Sequence, residues 1–130
     1  MPGSISCRLP ASLLWLVALG SVLILAREEV VAALLGMLVE IKGLQPRFLG
    51  RGEAAGDAIL RDMPRAVIID CDHPDCGEAL LQTVRLAGAL PILFSPSRMQ
   101  PELRLVADRH GLRSFTLPTD VNTFGKVLEA

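Results

Sequence analysis

An α/β fold, one parallel sheet covered on both faces by helices, is what this 130-residue sequence predicts. Three observations predict it. Short apolar runs recur at 21–26, 66–70 and 90–94 without the period-two alternation of a half-wet sheet, which is the pattern of strands buried on both sides. Each run is followed by a segment with helical spacing, so strand and helix alternate along the chain. The size suits a single domain, and 51% apolar against 21% charged residues excludes intrinsic disorder.

The elements follow in order. Ser21–Ala26 (SVLILA) is the first strand. Arg27–Lys42 then turns helical, with Val31, Leu34, Leu35, Leu38 and Ile41 expected on the inward stripe and Gly43 as its stop. Pro46–Leu49 is a short strand closed by Gly50-Arg51-Gly52, and Glu53–Asp62 a helix that must end before Pro64. AVIID, 66–70, is the next strand and delivers Asp70 at its carboxyl end. A loop, Cys71–Gly77, leads to helix Glu78–Gly88 with Leu80, Leu81 and Val84 inward.

Leu90–Phe94 is a strand whose Pro91 lies at its start, where no ladder donor is lost. Pro101–His110 is a helix with proline in its first turn and Gly111 just beyond its end. Leu103, Val106, Ala107 and His110 share its inner face. Ser114–Leu117 is the last strand. Thr119 or Asp120 caps a final helix with Val121, Phe124, Val127 and Leu128 on one side.

Composition removes several classes of function. A net charge of −1 gives no field to draw nucleic acid or an anionic membrane. Aromatics at 4%, with no Tyr, leave little to stack on unpaired bases. Three cysteines (Cys7, Cys71, Cys76) are too few and odd in number for a disulfide scaffold, so a reducing cytoplasm is the expected compartment. No catalytic triad and no glycine-rich phosphate loop is present, so no conventional enzyme is expected.

Residues 1–20 are read as an apolar N-terminal extension and 21–130 as the domain. The stretch from Leu9 to Ala26 has no charge over eighteen residues, close to the roughly 20 a membrane span needs. Gly20-Ser21 splits it into a helix-like and a strand-like piece. Docking on the domain, pairing, membrane insertion and an upstream choice of start codon all stay open for the extension; 21–130 is expected to have no membrane contact.

The run VIIDCDHPDCGEALL at Val67–Leu81, with LPILFS at Leu90–Ser95 and HGLRSFTLP at His110–Pro118, resembles the receiver domain of two-component response regulators. The resemblance spans roughly Ser21 to Ala130. It implies a (βα)5, flavodoxin-like (CheY-like) sheet of order 2-1-3-4-5, with Asp70 at the phosphoacceptor position.

Receiver chemistry uses a carboxylate nucleophile, a Mg²⁺ held by acids, and a hydroxyl and a lysine that read the phosphoryl oxygens. By the family pattern the acidic pair falls on Ala26 and Arg27, with Glu28 and Glu29 displaced into the first helical turn. The hydroxyl position lands on Pro96, flanked by Ser95 and Ser97, and Pro118 stands where the lysine should. The only lysines are Lys42 and Lys126, neither near a strand's carboxyl end. An Arg in the metal's place would repel the ion and attract Asp70.

The resemblance therefore points to a pseudo-receiver, a signalling module acting through protein contact without phosphoryl transfer and without a cofactor. Its partner face by the family pattern holds Arg104, Asp108, Arg113 and Thr116, towards Phe124 and Lys126. With no DNA-binding segment in the chain, output is expected to pass through another signalling protein or a second copy.

Two alternatives stand beside it. One is a working phosphoacceptor at Asp70 with displaced hydroxyl Ser95, its Mg²⁺ held by Asp72 and Glu28. The other is a small metal-binding domain using the Cys71–Cys76 loop, where Cys71, His73 and Cys76 offer zinc-type ligands but no second cluster completes four.

Overall fold

A computed structural model describes residues 20–96, 100–116 and 121–129. Residues 1–19 of the apolar extension, Ser97, Leu117, Pro118, Thr119 and Asp120 lie outside them. Strands β1 (Ser21–Leu25), β2 (Gln45–Phe48), β3 (Ala66–Asp70), β4 (Leu90–Ser95) and β5 (Arg113–Thr116) alternate with helices α1 (Glu29–Ile41), α2 (Ala55–Asp62), α3 (Glu78–Leu86), α4 (Gln100–Arg109) and α5 (Val121–Leu128). All neighbouring strands pair in parallel, and the sheet order is β2-β1-β3-β4-β5.

Because successive strand residues point to opposite faces, the central strands feed two cores. Leu23, Leu25, Val67, Ile69 and Leu93 go to one, against Ala58 and Ile59 of α2, Leu80, Leu81 and Val84 of α3, and Leu103 and Ala107 of α4. Val22, Ile24, Ala66, Ile68, Ile92 and Phe94 go to the other, against Leu35, Leu38 and Val39 of α1 and Phe124 and Leu128 of α5. Phe115 stacks on Phe94 at 5.6 Å and meets Phe124 edge-on at 5.3 Å, which ties α5 to β4 and β5.

Gly43 and Gly111 follow α1 and α4 with φ of 80° and 65°, the left-handed stop that a side chain resists. The expected stripe of α1 is rotated. Leu34 and Ile41 face solvent, Val31 is half-buried, and Val39 takes the inner place. Spacing alone could not choose the face, because α1 is apolar on both sides.

Candidate functional site

The carboxyl ends of parallel strands, where open α/β sheets bind ligands, bring three charged side chains together. Asp70 is the last residue of β3 and only 2% exposed. The register Leu25↔Ile69 carries β1 past it, so the chain leaving β1 places Arg27 over the carboxylate. Arg27 Nε stands 3.4 Å from Asp70 Oδ2, and its Nη2 is 3.8 Å from Asp72 Oδ2. Both separations are long for hydrogen bonds, so the contact is mainly an ion pair. One guanidinium bridges two carboxylates.

The loop after β3 is stapled to Asp70. The Asp72 N–H donates to Asp70 Oδ1 at 2.9 Å, and the His73 N–H donates to the Asp70 carbonyl at 2.9 Å. This is an Asx-type turn, in which a short carboxylate replaces a backbone acceptor. The Cys71 N–H reaches the Phe94 carbonyl of β4 at 2.9 Å, so the loop's first residue is also held to the sheet. Ser95 is fully buried at the end of β4, level with Thr116 of β5.

A divalent ion needs hard oxygen donors in octahedral array. Among the described residues, the metal-type side chains that converge are Asp70, Cys71 and Asp72. That set has two carboxylates, one soft thiol and a guanidinium already against both acids, and it does not fit Mg²⁺. Glu28 is exposed and stands outside the cluster. The structure likewise does not gather Cys71, His73 and Cys76: His73 Nδ1 accepts the Asp75 N–H at 3.1 Å, while both cysteines pack against the core under α2, α3 and α4.

The two lysines are at the wrong end of the sheet. With Arg65 and Glu129 they line a cavity of about 470 Å³ beside the amino ends of the strands. Of the expected partner face, Arg104, Asp108 and Arg113 are exposed, and Thr116 is half-buried. Arg113 Nη1 donates to the Val127 carbonyl at 3.1 Å. Phe124 is fully buried and belongs to the core, because its ring closes the aromatic trio. His110 is half-buried and stands 3.1 Å from Glu78 Oε1 through Nδ1, joining α4 to α3.

The charge trio of Glu53, just before α2, with Arg61 and Asp62 at its end was not legible in the sequence. Arg61 bonds Asp62 at 2.7–2.8 Å and also pairs with Glu53. Hydrogen bonding to Arg61 holds the Asp62 carboxyl below its usual range. The Glu53 carboxyl is lowered first by the Gly50 N–H and then by Arg61.

No protein-family model and no curated protein sequence matches the chain. Solved structures do. NtrX from Brucella abortus, crystallised with ADP, is 21% identical with a TM-score of 0.68 over 83% of this chain and 25% of its own. This chain thus spans about a quarter of that protein. A putative response regulator from Chloroflexus aurantiacus is 20% identical with a TM-score of 0.67, over 84% of this chain and 97% of its own. The signal receiver domain of a modulated diguanylate cyclase from Desulfovibrio desulfuricans is 19% identical with a TM-score of 0.65, over 84% and 90%. At such identities the likeness establishes the fold: a (βα)5 chain built like a response-regulator receiver domain.

Proposed function

We propose that this chain is a receiver-like module of two-component signalling in which Asp70 stands at the acceptor position but is not phosphorylated. The observation that carries the reading is the Arg27 guanidinium, 3.4 Å from Asp70 Oδ2 and 3.8 Å from Asp72 Oδ2. A phosphoryl group transferred to Asp70 would add roughly two negative charges beside Asp72. In a working site a metal and a lysine neutralise that charge; here the only described cation paired with Asp70 is Arg27. The guanidinium occupies the ion's side of the carboxylate and mimics a permanently neutralised state.

Such a module acts by contact. Its face of α4, β5 and α5, with Arg104, Asp108, Arg113 and Thr116, is the proposed surface for a signalling partner; Leu105 adds an apolar point there. No helix among the described residues is long and apolar enough to cross a membrane. A cytoplasmic location is part of the same proposal.

Acetyl phosphate or beryllofluoride with Mg²⁺, read by intact mass and NMR shifts, tests the reading. The expected result is no added phosphoryl mass and no shift at Asp70. Stoichiometric labelling that Asp70→Asn abolishes would establish the phosphoacceptor instead.

A further inference from the structure

The chain has two lysines, and both lie in one place. Lys42 closes α1 and Lys126 stands in the last turn of α5. With Arg65, just before β3, they surround the cavity of about 470 Å³ at the amino ends of the strands. Glu129 is the one acid among its described lining residues, so three cations face a single carboxylate. Buried Leu44 and Leu128 supply an apolar wall, against which like charges focus their field more strongly than in open water. The net charge of −1 averages this local excess away.

Helix ends explain each lysine singly, since a cation complements the carbonyl end of a helix. They do not explain Arg65, which ends no helix, or the convergence of all three. Among the described residues neither lysine has a hydrogen bond or ion pair. The backbone also makes room for one of them. Lys42 runs over Gly125, where a Cβ would stand 2.7 Å from its Nζ. Glycine inside α5, at a position where alanine is the better helix former, thus lets the ammonium lie within the cavity.

We propose that this cavity binds the phosphate group of an anionic ligand, held by charge-assisted hydrogen bonds from Lys42, Arg65 and Lys126, with Asn122 as an amide donor. Its volume is that of a small-molecule site. Three cations together suit a group that carries more than one negative charge and several acceptor oxygens, which a lone carboxylate does not. Such a phosphate is either free or borne by a lipid. Gly20, where the apolar extension joins β1, packs beside Arg65: a Cβ there would lie 3.4 Å from the Arg65 Cβ. The cavity is at the opposite end of the strands from Asp70, so it is independent of the reading of that residue.

Titration of the full chain with inorganic pyrophosphate at low salt, followed by amide NMR, tests the free source. Co-sedimentation with equimolar phosphatidylcholine–phosphatidylglycerol vesicles, against phosphatidylcholine alone, tests the lipid source. Binding of one probe or the other is expected, weakening as salt rises. Lys42→Gln and Lys126→Gln should each weaken it about tenfold, Glu129→Gln should strengthen it, and Asp70→Asn should leave it unchanged. Gly125→Ala, which displaces Lys42, should weaken binding without lowering the melting temperature, a separation that a purely structural lysine would not show. Pyrophosphate shifts gathered at Lys42, Arg65, Gly125 and Lys126 identify a free ligand; uptake that needs phosphatidylglycerol and both lysines identifies a headgroup. No binding of either probe at millimolar concentration overturns the proposal. So does binding that both lysine variants retain, including vesicle uptake through the apolar extension alone.

Discussion

At the scale of single residues, Asp70 and Arg27 are the pair to vary. Asp70 is buried, so losing Arg27 leaves its carboxylate with the Asp72 N–H as its remaining described partner. Arg27 is 43% exposed, and water can partly replace it. Arg27→Ala should therefore lower unfolding free energy by about 1–2 kcal/mol in urea titration. Arg27→Asp should do more: it rebuilds an acid pair at the strand ends. Millimolar Mg²⁺ is expected to raise the melting temperature of that variant and leave the natural chain unmoved.

The trio of Glu53, Arg61 and Asp62 makes a pH prediction. Lowered carboxyl pKa values mean that the folded state holds these protons less tightly than the unfolded chain. Their contribution is complete above the ordinary carboxylate range near about 4 and is lost as pH falls through the lowered values. Arg61→Gln should lose stability at neutral pH and show a shallower decline on acidification, measured by thermal unfolding between neutral and acid buffers.

Among elements, α5 offers a contrast between two neighbouring positions. Phe124 is fully buried against Phe115, and Phe124→Ala should cost about 3–5 kcal/mol. Gly125 sits in the same helix, where glycine is worse than alanine by about 1 kcal/mol. A Cβ there would meet the outer atoms of the Lys42 side chain at 2.5 and 2.7 Å, a flexible stem on an exposed residue that can swing aside. Gly125→Ala is therefore expected to raise the melting temperature. A fall would mean that Lys42 is held over α5 more firmly than its exposure implies.

Over the whole molecule, β1, β3 and β4 each supply side chains to both cores, so neither core can melt while the sheet survives. Ile68→Ala and Ile69→Ala open cavities on opposite faces, and each should cost about 2–5 kcal/mol. Both variants should still unfold in one transition, coincident by far-ultraviolet circular dichroism and by the aromatic signals of Phe94 and Phe115. Two separated transitions would show that the faces are independent.

The strands, their parallel pairing and the position of Asp70 were legible in the sequence, because apolar runs buried on both sides alternate with helical spacing and AVIID can end in only one place; the order 2-1-3-4-5 came from the resemblance alone. The displaced acids and misplaced lysines were legible too, as departures from a family pattern. Three things were not. Which side of α1 faces the sheet depends on what its neighbours leave uncovered, since periodicity is silent when both faces are apolar. Phe124, which the sequence set both on the apolar side of the last helix and towards the partner face, is assigned to the core only by its edge-on contact with Phe115. Arg27 reaches Asp70 across 43 residues of chain only because β1 and β3 lie side by side in register. Local sequence sets the period of burial and the ends of elements. Charge pairs made across the sheet, and the face a doubly apolar helix turns outward, are decided by tertiary proximity.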